Sequence, residues 1–339
     1  MGRKHIKIAY ILVLSVLFLA VMLAGCGKKD KPHKISILIL PNFEVEEMSG
    51  DYPGEAQYYY DAYVKGGEEY DIKGSPEGSK LYVKDDMALY VIGTGKANAA
   101  ASTAAVLLDD RFDFSEAYVI LTGCGGGAAG NTIMGDVVLG TAVADYELGH
   151  HADPRDMENP DRETWFYDDD YDSSSHKILD QQLMSKLYDE VKDVKLQTTE
   201  HTRRFLEKGY DGAEWVLREP KVIRGTVVTG DNYWKGEYDD RNAKLIARTY
   251  KCPDPFAMTE MEDMAAATVL DRMGMLDRTI IIRACVNMDT FEKGMTPEKL
   301  WGDDSMDLAK GESEEVADIF ETAMENNYKV GSKIIEAVR

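Results

Sequence analysis

The chain has 339 residues, 44% of them hydrophobic and 29% charged, with a formal net charge of −22 at pH 7. That length and balance fit one large globular α/β domain or two smaller ones, and 29 Gly and 10 Pro are too few for a fibrous or disordered chain. So acidic a surface repels phosphate backbones, which excludes general nucleic-acid binding, and a single long apolar run at a mean hydropathy of −0.36 excludes a polytopic membrane protein.

The first 34 residues read as an address followed by a tether. Arg3, Lys4 and Lys7 precede the apolar run Ile8–Ala24, and Leu23-Ala24-Gly25-Cys26 closes it. A basic start, an apolar centre and small residues before a cut describe a secretory signal. The Leu-Ala-Gly-Cys ending resembles the bacterial lipobox. That resemblance implies a signal peptide over 1–25, membrane lipid on Cys26, and an extracytoplasmic lipoprotein anchored to the cell membrane. An uncleaved anchor is the alternative, since 17 residues is at the short limit for a spanning helix. Cleavage removes three positive charges and no negative ones, taking the net charge from −22 to −25. Residues 26–34 form the polar tether and 35–339 the folded domain.

From Ile35 the chain alternates. Ile35–Leu40 reads as a buried first strand ended by Pro41, Glu55–Val64 as a helix, Met87–Ile92 as a strand and the Ala-rich Lys96–Leu108 as a helix. Tyr118–Leu121 is a strand running into a Gly-rich turn, and Val137–Ala144 is another strand. Residues 145–175 read as a long acidic loop. Helices follow near 181–191 and 199–208, then a strand over 221–228, helices over 241–250 and 261–273, a buried strand over 279–287, and one or two helices over 313–338. Such alternation predicts an α/β domain, its central mixed sheet covered by helices. With Cys26 lipidated, Cys124, Cys252 and Cys285 can form at most one disulfide and fit small buried thiols. No Cys or His spacing suits zinc, and neither a metal nor a cofactor is expected.

Five segments could carry chemistry. Gly93-Thr94-Gly95-Lys96 opens a helix directly after a strand, where glycines admit close backbone approach and helix amides favour anions. It lacks the features of a dinucleotide or Walker loop, and a plain tight turn explains it equally well. Thr122-Gly123-Cys124-Gly125-Gly126-Gly127 leaves room beside exposed backbone amides. Tyr233-Trp234, after Gly230-Asp231-Asn232, offers two aromatics that either stack on a planar ligand or plug the 145–175 loop. Glu260-Met261-Glu262 opens an apolar helix, and Glu262 there could grip a pair of sugar hydroxyls through charge-assisted bonds. Arg283-Ala-Cys-Val-Asn287-Met-Asp289 ends the later strand, where α/β proteins place ligands. Asn287 fits a purine edge, and Asp289 could donate a proton if its pKa is raised. Two other features read as surface: the His150-His151 pair, and Asp168–Asp172, which lacks the Gly and closing Glu of a calcium loop.

In this order the five segments resemble the nucleoside phosphorylase/hydrolase superfamily, and more closely the purine nucleoside permease family, over roughly residues 35–335. The resemblance implies a single-domain phosphorylase/hydrolase-like fold and purine nucleosides as ligands. It also implies Glu260, Met261 and Glu262 around the ribose, and Tyr233, Trp234 and Asn287 around the base. Gly95, Cys124, Gly125 and Gly126 would line the ribose and phosphate side. Glu262 and Asn287 would be the catalytic pair. Asn287 and Val286 depart from the superfamily's Ser-Asp, and Cys124 stands where Ser is common. Phosphorolysis therefore ranks below hydrolysis or plain binding. A nucleoside-binding component working with a separate transporter is the alternative reading, and superfamily members are often homo-oligomers.

Overall fold

The computed structural model describes residues 31–76, 78–151, 153–159, 165–166, 173–301 and 314–339. The signal segment with Cys26, and the acidic run 168–172, lie outside them. Lys34–Arg339 is one compact unit. Among the described residues no helix is long and apolar enough to cross a membrane.

A ten-stranded sheet organises this unit. Its first strand, β1 (Ile37–Leu40), is buried at every position. Continuous β-branched and Leu sequence of this kind suits a parallel strand covered on both faces. A short helical turn, α1 (Gln57–Tyr59), continues as a π-turn over Tyr60–Val64. Then come β2 (Glu68–Asp71), β3 (Lys80–Lys84) and β4 (Met87–Tyr90), followed by α2 (Lys96–Leu107). The long β5 spans Tyr118–Gly127 and β6 spans Val137–Asp145. Within the expected acidic loop, β7 (His150–His151) and β8 (Trp165–Phe166) form a separate antiparallel pair. Past it come β9 (His176–Ile178), α3 (Gln181–Val191) and α4 (Glu200–Gly209). The last half of the sheet is β10 (Val222–Thr229), β11 (Phe256–Glu260) and β12 (Thr279–Met288). Helices α5 (Glu237–Thr249), α6 (Asp263–Arg272) and α7 (Glu314–Val338) pack around it.

Strand order is β9-β6-β10-β11-β5-β1-β4-β3-β2, and β12 pairs with both β5 and β6. That double pairing closes β6, β10, β11, β5 and β12 into a ring. The long β5 is the hub. One edge follows β12 in parallel along its length. The other edge pairs first with β1 (Ile37↔Tyr118 to Leu40↔Leu121) and only later, antiparallel, with β11 (Met258↔Gly127, Thr259↔Gly126). Between Leu121 and Gly126 the two neighbours part. A sheet that changes partner in this way leaves a crevice at the strand ends, where α/β proteins bind ligands.

The Gly-rich segment is therefore strand and not the expected turn, and crowding explains its glycines. A Cβ on Gly125 would lie 2.2 Å from the Thr259 carbonyl oxygen, and one on Gly126 would lie 2.1 Å from Asp289 Oδ1. On Gly127 it would come 2.6 Å from Cys285 Sγ. Only glycine lets β5, β11 and β12 converge so closely. Gly125→Ala should consequently destabilise the protein by about 1–3 kcal/mol, the usual cost of overpacking, seen as a lower denaturant midpoint at unchanged slope.

Helix starts follow local chemistry. Asp180 accepts hydrogen bonds from the amides of Gln182 and Leu183, and Thr199 from that of Thr202, which are N-caps of the ordinary kind. Gly95 precedes α2 at φ 88°, a conformation that disfavours a side chain. At the C-terminal end a single helix, α7, covers the sheet. Its Asn327 donates to the carbonyls of Gly123 and Ile282 and accepts from Thr122 Oγ1, tying β5 to β12 beneath the crevice.

Candidate functional site

The crevice holds a cavity of ≈ 220 Å³. Each neighbouring strand end sends residues into it. Asn42 and Phe43 come from the end of β1, Cys124–Gly126 from β5, and Asn232–Trp234 from the loop after β10. Thr259–Glu262 come from the β11–α6 junction and Val286, Asn287 and Asp289 from β12, with Glu55 and Thr94 completing the wall. Nearly all the residues expected from sequence thus meet here: Cys124, Gly125, Gly126, Tyr233, Trp234, Glu260, Met261, Glu262 and Asn287. Gly95 stands one step behind. Its N–H donates to Glu262 Oε1 at 2.8 Å and so aims that side chain.

The carboxylates have distinct surroundings. Glu262 occupies the N-cap position of α6 and is 4% exposed. Among the described residues only the Gly95 amide hydrogen-bonds to its carboxylate, leaving Oε2 without a partner at the cavity wall. Burial pushes its pKa up to about 7 against the pull of Arg283. Glu260 is held differently. Its Oε2 accepts from the amides of Glu262 and Asp263, both at 2.6 Å, and Oε1 from Thr229 Oγ1. Glu260 therefore caps α6 while also lining the cavity, whereas the Glu262 carboxylate keeps Oε2 without a hydrogen bond among the described residues. Burial, then the neighbouring Asp263, raise Glu260 to about 8.

Asp289 faces the cavity from the end of β12. It is 1% exposed, and Oδ1 accepts from Thr259 Oγ1 at 2.8 Å. Oδ2 is buried with no hydrogen-bond partner. Burial raises this pKa to about 7, with Thr259 opposing. A carboxyl so placed is partly protonated at neutrality and keeps one oxygen unpaired within the cavity wall.

Glu55 is a fourth buried carboxylate. Its Oε1 accepts from Cys124 N–H and Oε2 from Asn42 N–H, both at 2.8 Å. Burial raises it, and Arg283 opposes. Arg283 itself is fully buried. It grips Asp263 through Nε (3.0 Å) and Nη2, while Nη1 stands 3.8 Å from Glu55 Oε1 without a hydrogen bond. Among the described residues lining the cavity there are four carboxylates and no Lys, Arg or His.

The aromatic wall has two parts. Trp234 stacks on Tyr146 (ring centroids 5.1 Å, 27°) and also lines the cavity. Tyr233 stands 59% exposed at the rim. Cys124, Cys252 and Cys285 are free thiols, and burial raises Cys124 well above its ordinary pKa, so it is a poor nucleophile. Lys96, flagged by its loop, is held by Asp145 and Glu147 and does not reach the cavity. Asn42, Phe43 and Glu55 had no sequence signal as site residues, because the segment 41–55 carries no motif; Thr259 directly precedes the acidic segment that did stand out.

The purine nucleoside permease (NUP) family model matches residues 34–339. A Schizosaccharomyces pombe protein described as a probable purine nucleoside permease is 26% identical over 220 residues, 58% of this chain. The alignment spans only 63% of that relative's length. Among solved structures, a 5'-methylthioadenosine/S-adenosylhomocysteine nucleosidase from Neisseria meningitidis, bound to methylthio-immucillin-A, superposes with a TM-score of 0.52 at 18% identity. That match covers 89% of this chain and 99% of that one. A Colwellia psychrerythraea nucleosidase bound to adenine gives 0.53 at 15%, covering 90% and 96%. Helicobacter pylori futalosine hydrolase gives 0.53 at 12%, covering 89% and 98%. At such identities these structures show the common fold, a mixed α/β sheet of the nucleoside phosphorylase/hydrolase type.

Proposed function

The chain belongs to the purine nucleoside permease family, and from that premise we propose that its cavity binds a purine nucleoside and cleaves the N-glycosidic bond with water. The observation that carries this reading is the pairing of Glu262, with one oxygen open to the cavity, and Asp289, whose buried Oδ2 lacks a partner. Glu262 as carboxylate takes the ribose hydroxyls and favours the positive charge that develops on the sugar. Asp289, protonated, gives its proton to a purine ring nitrogen, which draws off the electron pair of the breaking C1′–N bond. Water attacks C1′ and its proton passes to Glu55, so that base and free ribose leave and one water is consumed. Asn287 hydrogen-bonds the base edge, and Trp234 with Tyr233 covers its face.

Water is favoured over phosphate by charge. Among the described residues an incoming phosphate would meet four carboxylates and no basic side chain on the cavity wall, in a buried site where repulsion between like charges is felt strongly. The same reading keeps Cys26 as the lipid anchor and places the activity outside the cytoplasmic membrane. Asn287 and the family name favour one other reading, capture of nucleoside for a separate transporter.

The test is chromatography of inosine and adenosine after incubation with the purified protein, with and without phosphate. Free base at equal yield in both is expected. Base only with phosphate would overturn the hydrolytic reading, and no base with intact binding would establish capture.

A further inference from the structure

Beyond the cavity wall, one carboxylate fastens three loops together. Glu147 follows β6 and is not part of the lining. Oε1 accepts from the Asn232 N–H at 2.9 Å and from Asn232 Nδ2 at 3.0 Å, while Oε2 accepts from the Asp231 N–H at 3.0 Å and from Lys96 Nζ. Lys96 in turn reaches Asp145 (3.0 Å), and its own amide donates to Asp231 Oδ1 at 2.8 Å. Asp145 Oδ1 accepts from the amides of Glu147 and Leu148, which fixes the turn carrying Glu147.

The three loops are the ones the site depends on. The 93–98 loop supplies the Gly95 amide that aims Glu262. The 145–148 loop supplies Tyr146, on which Trp234 stacks. The 230–234 loop carries Asn232, Tyr233 and Trp234 into the cavity. Gly230 belongs to the same arrangement, since a Cβ there would stand 3.2 Å from Glu147 Oε1. Charges facing the Glu147 carboxylate are Lys96, Asp145 and Asp231: the Lys96 ammonium holds the carboxylates of Asp145 and Glu147, and its backbone amide holds that of Asp231.

We propose that Glu147 and Lys96 form a positioning pair for base recognition, holding the aromatic flap 231–234 against the loop that aims the ribose carboxylate. This rests on the nucleoside reading of the cavity. Neither residue touches the substrate; the pair sets the shape of the wall that does. Losing it loosens the flap, so binding of the base weakens while chemistry at C1′ proceeds once the substrate is seated.

The experiment uses Glu147→Gln, Lys96→Met and the double variant, with inosine as probe. KM should rise about 10-fold in each single variant with kcat within about 2-fold, and the double variant should be no worse than the weaker single, as for groups acting as a unit. Trp234 emission, isolated by difference against Trp234→Phe, should shift to the red, and the 231–234 amides should exchange faster. Thermal unfolding of each variant guards against misfolding, and Lys96→Met decides the matter if Glu147→Gln does not fold. An unchanged KM, or a fall in kcat at constant KM, overturns the proposal. If the unmodified protein releases no base, the hydrolytic reading fails on its own. The pair is then judged by Trp234 emission and amide exchange: a shift in both variants upholds it and no change overturns it.

Discussion

Glu262→Ala should lower kcat/KM for inosine by about 10²–10⁴-fold, because it removes two charge-assisted hydrogen bonds of about 1.5–3 kcal/mol each. The reasoning starts from position. Glu262 is the N-cap of a helix whose amides are already capped by Glu260, so its carboxylate is spare for a ligand. The Gly95 amide fixes one oxygen and leaves the other facing the cavity. Glu262→Gln keeps that shape and loses the charge, so it should fall between wild type and Ala. Steady-state kinetics with inosine reads both. Equal activity in all three would remove Glu262 from the ribose.

Asp289→Asn should cost about 10²–10⁴-fold in kcat, the range for losing a general acid, and should also change the pH profile. The direction follows from the two raised pKa values. Glu262 works ionised, so activity rises as pH climbs through about 7. Asp289 works protonated, so activity falls as pH climbs through about 7. The profile of kcat/KM is then a narrow bell near neutrality whose two limbs belong to the pair. In Asp289→Asn the descending limb disappears and the ascending limb stays. A descending limb that survives the substitution would assign the acid to another group. Asn287→Ala makes the contrast: Asn287 has no titrating proton, so it should weaken binding and leave both limbs in place.

The residues that line the cavity were largely readable, because they are unusual residue types for their places in the chain. Two adjacent aromatics after a Gly-Asp-Asn turn, an acidic pair at a helix mouth and a polar strand end all stand out from an apolar background. What sets them in place was less visible. The glycines of β5 read as a turn, since the sequence does not reveal that β11 and β12 press on both sides of them. Strand β11 itself, Phe256–Glu260, is too short to show a period. The edge strand β2 is charged and mostly exposed, and β3 alternates over only five residues. Glu55 reads as an ordinary helix start; only the fold brings its carboxylate to the amides of Asn42 and Cys124. Asp289 showed its chemistry in sequence but not its isolation, which depends on burial by Thr259 and its neighbours.

Calorimetric titration at pH 7 with a purine C-nucleoside, in which a carbon–carbon bond replaces the glycosidic C–N bond, separates recognition from turnover. One site with micromolar affinity in the wild-type protein, lost in Glu262→Ala and unaffected by phosphate, is the predicted result. No binding, or binding that is indifferent to Glu262 and competed by phosphate, would contradict a carboxylate-lined nucleoside site.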